Sequence, residues 1–374
     1  MTALLAKFVG IFTAMVMFFM SVGDAFSPSK DIPDDIENCK NVILLIGDGM
    51  GFNSIEKTRA EEGIDCFNMD RFPLTGASKT RSSSSSVTDS AAGGTALACG
   101  IRTTNGYVGV YPSDMNHVYS NPMSLAELAV SRGKLAGVIT SDSTSGATPS
   151  SFIAHTSDRG NEEDITEQQL NSAFTLIWGT STASFSEQTA VSNGFEVVYN
   201  KADMDALEEG SRSFAQFTSS VWHSDPDEGM PTMAEMTAKA IDLIDDDEDG
   251  FFLMVEGAHI DKNSHNNEGE GMKDALLAFD EAVGVALDYA KENGDTLVVV
   301  TADHETGGIT LNDGVYEYTQ TSHSGADVPL LVYGCDSFIE QDEHIKNKEV
   351  SRRIAAVMGE ENFPIAVNNA EPLC

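Results

Sequence analysis

Glu256, Asp261 and His265 fall within the run Glu256-Gly-Ala-His-Ile-Asp-Lys-Asn-Ser-His265, directly after the apolar stretch Phe251 to Val255. Carboxylates and imidazoles in that mixture are metal donors: neutral imidazole and carboxylate suit zinc, and hard oxygens suit magnesium. A second cluster, Thr301-Ala-Asp-His304, follows the apolar stretch Leu297 to Val300, and Ser322-His323-Ser-Gly325 comes after it. Two metals close together stabilise the entering and leaving oxygens of an in-line displacement, a chemistry these clusters suit. His117, His223 and His344 stand outside any cluster and read as surface or satisfied core residues.

Three further segments place polar residues where an element begins or ends. Gly47-Asp-Gly-Met-Gly51 follows the apolar run Val42 to Ile46. Asp48 at its centre would repel a phosphate approaching the backbone, unless a metal lies between them, and by itself it is equally a turn residue. In Thr88-Asp-Ser-Ala-Ala-Gly-Gly-Thr95 small residues open a helix at or near Ser90. A hydroxyl there sits at the positive end of the helix dipole and suits a nucleophile, or an ordinary N-cap. Gly146 to Arg159 follows the apolar run Leu135 to Ile139 and offers the Thr148 hydroxyl and the planar Arg159 fork, a match for two phosphate oxygens or simply a surface arginine.

The elements that must carry these residues are legible as well. The runs 42–46, 135–139, 251–255, 297–300 and 328–333 predict buried strands. Met233, Met236, Ala240 and Ile244 keep a helical period, as do Met272, Leu276, Phe279, Val283 and Leu287. Alternation of this kind predicts an α/β fold, a mainly parallel central sheet with helices on both faces. No linker divides residues 26–374, which read as one domain, with 160–230, rich in Ser, Thr and acidic residues, as a peripheral insertion. Residues 1–25 carry Lys7, the apolar stretch Phe8 to Val22 and small residues at 23 and 25, the layout of a cleaved signal peptide. A secreted or periplasmic protein without stable membrane insertion is expected. Five cysteines (39, 66, 99, 335, 374) allow disulfides after export, with no readable connectivity. A formal charge of −37 argues against nucleic acid as a partner.

Taken together, the five motifs and their order resemble those of the alkaline phosphatases of the secreted bacterial and animal type, over nearly the whole chain after the leader. The resemblance implies phosphomonoester hydrolysis at alkaline pH through a phosphoserine at Ser90, with two zinc ions, one magnesium ion, small phosphomonoester substrates and a homodimer. It implies Asp261, His265 and His323 as ligands of one zinc and Asp48, Asp303 and His304 as ligands of the other. Thr148 and Glu256 would join Asp48 at magnesium. Arg159, oriented by Asp89, would clamp the phosphoryl group, and Lys262 would lie on its phosphate side.

Gly146 departs from the family pattern, where an Asp or His stands beside magnesium. Weaker or more exchangeable magnesium is expected, and Gly146→Asp is the comparison that tests it. A sulfatase is excluded by the absence of a Cys/Ser-x-Pro-x-Arg motif, whereas a diesterase side activity is not. From a different class, Asp245, Asp247, Asp249, Gly250 and Glu256 satisfy the calcium-loop pattern of an EF-hand, which demands a helix after the loop.

Overall fold

Continuous apolar runs become strands here because both of their faces are covered. The computed structural model describes residues 32–33, 36–112 and 121–367; the leader, His117 and Cys374 lie outside them. In chain order the strands are β1 (Asn41–Gly47), β2 (Leu74–Lys79), β3 (Leu135–Ser143), β4 (Leu176–Thr180), β5 (Glu196–Val198), β6 (Ser213–Ala215) and β7 (Phe251–Gly257). Then come β8 (Thr296–Thr301), β9 (Glu305–Thr306), β10 (Thr310–Asn312), β11 (Val315–Glu317), β12 (His323–Ser324), β13 (Val328–Tyr333) and β14 (His344–Lys346). Ten of them form one sheet in the order β14-β2-β13-β8-β1-β7-β3-β4-β6-β5.

Alternate residues of the central strands enter opposite cores. Ile43 and Leu45 of β1, Leu253 and Val255 of β7, and Val298 and Val300 of β8 join Met236, Leu276 and Phe279 on one face. Val42, Leu44, Phe252, Met254, Leu297 and Val299 join Leu97, Leu128 and Ile354 on the other. Helices therefore cover both faces, among them Met233–Ile244 and Gly269–Asn293 on the first and Ser90–Cys99 and Asn347–Val357 on the second.

Within this sheet only β13 runs against its neighbours, β8 and β2. A parallel return needs a long crossover, and the segment between β8 and β13 holds just the short strands β9 to β12, so the chain comes back antiparallel. Residues 160–230 supply β4, β6 and β5, laddered onto β3, with Trp178 of β4 fully buried and its indole N–H donating to Ser213 Oγ at 2.9 Å. The middle of that stretch is thus part of the central sheet, and its polar composition belongs to the connections.

The acidic turn lacks the helical context of an EF-hand, as the strand pattern of Phe251 to Val255 predicts. The turn after Ile244 leads straight into β7, with no exit helix, and Asp247 Oδ1 is occupied by the N–H groups of Asp249 and Gly250. Glu256 sits near the far end of that strand, about 17 Å along at ~3.3 Å per residue. The four described cysteines are free thiols.

Candidate active site

Parallel register brings the motif residues to one edge. Ile46 lies opposite Glu256 on one side and Thr301 on the other, and Glu256 lies opposite Thr140. Asp48, Glu256, Asp303 and His304 therefore emerge at the carboxyl ends of adjacent strands, where open α/β sheets place their ligands. Gly49 turns at φ +72° with its α-carbon so close to Asp261 that a Cβ would lie 2.8 Å from Asp261 Cα. Gly93 serves the same purpose for the Ser90 helix, since a Cβ there would meet Asp303 O at 2.9 Å.

The first group of donors is Asp261, His265 and His323. The short helix His259–His265 puts Asp261 and His265 one turn apart, and β12 delivers His323. Nδ1 of His265 faces Thr321 O at 2.7 Å and Nδ1 of His323 faces Thr88 O at 2.9 Å. Donation outward from both rings turns both Nε2 atoms inward, 3.0 Å apart and 3.3 and 3.6 Å from the Asp261 carboxylate. Three acceptors converging on one point require a cation. Without a metal a proton takes that role: the hydrogen bond to Asp261 pushes His265 up to about 9.

The second group is buried, with Asp303 and His304 wholly inaccessible. His304 Nε2 lies 3.2 Å from Asp303 Oδ2 and 3.5 Å from Asp48 Oδ1, and Asp261 also reaches this group. Asp48 Oδ1 and Asp303 Oδ2 have no hydrogen-bond partner. Ser90 Oγ stands 3.2 Å from the same His304 Nε2. Asp89, not Ser90, is the N-cap of helix Ser90–Cys99, accepting from Ala92 N at 3.0 Å. That frees the Ser90 hydroxyl, which is 5% exposed, from the capping role open to it in the sequence.

Two further oxygen donors lie beside this group: Glu256, whose charge bears on Asp48, and Thr148, which neighbours Glu256. Thr148 Oγ1 is buried without a partner, while Glu256 accepts a hydrogen bond from Thr140. Burial pushes the Asp48 carboxyl well above the usual range, with Asp303, Asp261 and Glu256 adding repulsion. Burial likewise drives Glu256 up to about 8 against the Thr140 hydrogen bond. Orphaned oxygens and carboxylates forced toward protonation are what a bound dication relieves.

Toward solvent stands Arg159, its guanidinium half-exposed and 3.3 Å from Asp89 Oδ2. The same Asp89 oxygen accepts from Gly106 N at 2.9 Å, and Arg159 N–H donates to Gly106 O, so carboxylate and arginine share one loop anchor. Lys262 Nζ is paired with Asp142. A profile of the family described as alkaline phosphatase matches residues 39–177 and 187–363.

The chain belongs to the alkaline phosphatase family.

This is a family of metal-dependent phosphatases. Among its members, alkaline phosphatase of Escherichia coli K12 is 32% identical over 83% of this chain and 84% of its own. That of Schizosaccharomyces pombe is 32% identical over 81% of this chain, but the match spans only 62% of the yeast protein. The alkaline phosphatase of the Antarctic bacterium TAB5 is similar in structure, with TM-score 0.73 and 31% identity over 87% of this chain and 99% of that one. A mutant of it, solved with magnesium bound, superposes with TM-score 0.74 at 31% identity over the same shares of the two chains.

Some site residues of this alkaline phosphatase family member lie outside those that the sequence motifs single out. Thr306 donates to Asp261 Oδ1, Thr140 supports Glu256, and Asp142 holds Lys262. Thr140 and Asp142 follow the apolar run Leu135 to Ile139, as the candidate ligands follow theirs, so their position carries the same signal. His155 is another: it lies between Gly109 O and Glu127 Oε1, bracing the segment that leads to Arg159. Burial lowers the basicity of His155, but the Glu127 carboxylate outweighs it and the net shift is upward. The pair therefore stabilises the fold fully below the ordinary histidine range and stops doing so as pH rises through the raised value. Urea midpoints should show Glu127→Gln destabilised by about 1.5–3 kcal/mol at acid pH, the range for a charged hydrogen bond, with the deficit shrinking at alkaline pH. A deficit constant with pH would contradict the assignment.

Proposed function

We propose that the chain hydrolyses phosphate monoesters at alkaline pH, with Ser90 as the nucleophile of a covalent phosphoserine intermediate. The observation that carries this is the Ser90 hydroxyl, buried, free of capping and aimed at the junction of converging acidic and histidine donors. Asp261, His265 and His323 fit one zinc ion by their inward nitrogens and carboxylate. Asp48, Asp303 and His304 fit another by their orphaned oxygens, and Asp48, Thr148 and Glu256 fit magnesium as an all-oxygen set. Bound there, the metals supply positive charge that stabilises the entering and leaving oxygens.

The chain's own groups do the rest. Phosphoryl oxygens meet the Arg159 fork and the N–H groups at the start of the Ser90 helix, which favour an anion. Lys262 lies on the same side, held at one carboxylate. Ser90 Oγ bonds to phosphorus as the ester oxygen leaves, and water then cleaves the phosphoserine to release phosphate and restore the hydroxyl. Since the serine hydroxyl acts after losing its proton, the rate rises toward alkaline pH.

Hydrolysis of a chromogenic phosphomonoester beside the matching diester, at alkaline pH with a Ser90→Ala control, tests this directly; equal inactivity of parent and variant on the monoester would defeat it. Arg159→Ala should raise KM by roughly tenfold to a hundredfold, as loss of a charged hydrogen bond costs about 1.5–3 kcal/mol. Unchanged KM and unchanged inhibition by phosphate would remove Arg159 from the site. Export after removal of a leader within residues 1–25 and assembly as a homodimer belong to the same proposal, supported by the leader-like composition and by the family resemblance. Among the described residues no helix is long and apolar enough to cross a membrane.

A further inference from the structure

Asp142 lies where the ladder between β3 and β4 shifts register, between Ile139 and Ser143. Bulges of this kind re-aim side chains beside active sites. The bulge is accommodated because residue 179 on β4 is a glycine, whose Cβ would lie 2.6 Å from Asp142 O. Its two carboxylate oxygens have separate neighbours. Oδ1 accepts from Lys262 Nζ, and Oδ2 lies 3.2 Å from where a Cβ at Gly146 would sit. The backbone of the same residue donates to Thr140 Oγ1 at 3.0 Å, and that hydroxyl donates onward to Glu256. Asp142 also adds repulsion at Glu256, so its charge is felt at the oxygen-donor set.

We propose that Asp142 is a positioning residue that supplies, from the end of β3, the carboxylate that position 146 lacks, tying Lys262 to the magnesium donors. This rests on the phosphomonoesterase reading above. The space beside Gly146 is filled, so Gly146→Asp alone brings a second carboxylate against Asp142 instead of closing a gap, and the weak magnesium binding inferred from Gly146 does not follow. An ordinary half-exposed ion pair would have none of these consequences.

Magnesium is titrated calorimetrically into zinc-loaded protein for the parent, Asp142→Ala, Asp142→Asn, Gly146→Asp and the double variant Asp142→Ala/Gly146→Asp, with circular dichroism confirming the fold. Asp142→Ala should weaken magnesium binding by about tenfold or more, the usual effect of losing a group that orients a metal's ligands. The double variant, which restores one carboxylate to the same space, should recover most of that loss, while Gly146→Asp alone should not tighten binding. Asp142→Asn gives the same reading if the alanine variant does not fold. Unchanged magnesium affinity in Asp142→Ala, or in Asp142→Asn where that variant stands in, overturns the proposal, as does a double variant no better than Asp142→Ala. If the parent hydrolyses an aryl phosphate and these results fail, only this inference falls; an inactive parent defeats the functional reading instead.

Discussion

Ser90→Ala is expected to lower kcat on an aryl phosphate by roughly 10⁴-fold or more, because the covalent route is lost outright and only attack by water remains. The same substitution should leave stability within about 1 kcal/mol of the parent. Ser90 is the first residue of its helix, Asp89 makes the cap, and the hydroxyl's contact is His304 Nε2, so removing one oxygen breaks no structural bond. Alanine is also the better helix former. Two measurements check the point. Steady-state rates give the loss, and acid quenching followed by mass analysis should find a phosphoryl group on the peptide containing Ser90 in the parent and not in the variant. A variant keeping a tenth of the parent's turnover would exclude Ser90 as nucleophile.

Much of this arrangement is written in the chain because parallel strands are buried on both faces. Val42 to Ile46, Phe251 to Val255 and Leu297 to Val300 are unbroken apolar runs, and a run that stops at charged residues marks a strand's carboxyl end. β2, with the sequence Leu-Thr-Gly-Ala-Ser-Lys, has no such run and is held by its neighbours β13 and β14. The three-residue strands β5, β6 and β14 are too short for any period to show. Direction is a property of the connection, which is why the apolar run of β13 marks it as a strand and not as the antiparallel one. Among the candidate site residues, those in dense clusters stand out by type. Asp142 shares the position after an apolar run, but its partner is 120 residues away, and those of Thr306 and His155 are 45 and 28 away, so spacing along the chain does not reveal the pairings.

Removing the metals should cost this protein stability as well as activity. Asp48, Glu256, Asp261 and Asp303 are all nearly inaccessible, at 7%, 2%, 7% and 0% exposure, and they crowd one strand edge. An ion present at ~1,000 times its dissociation constant stabilises the native state by about 4 kcal/mol, so the two zinc ions proposed above would together contribute about 8. With an unfolding entropy of about 2 cal/mol/K per residue, stripping them should lower the melting temperature on the order of 10 °C. The deficit should depend on pH with a definite sign. Glu256 ionises at its ordinary carboxylate value when unfolded but retains its proton to about 8 in the metal-free fold. The native state then binds more protons across that interval, and its stability falls as pH rises from the ordinary carboxylate range to about 8. Asp48, shifted the same way, deepens the fall. Metal relieves the repulsion, so the gap between loaded and chelated protein should widen through the window. Calorimetric melts with and without chelator at mildly acid and mildly alkaline pH measure it, and a gap that narrows with rising pH would mean these carboxylates do not face a common cation.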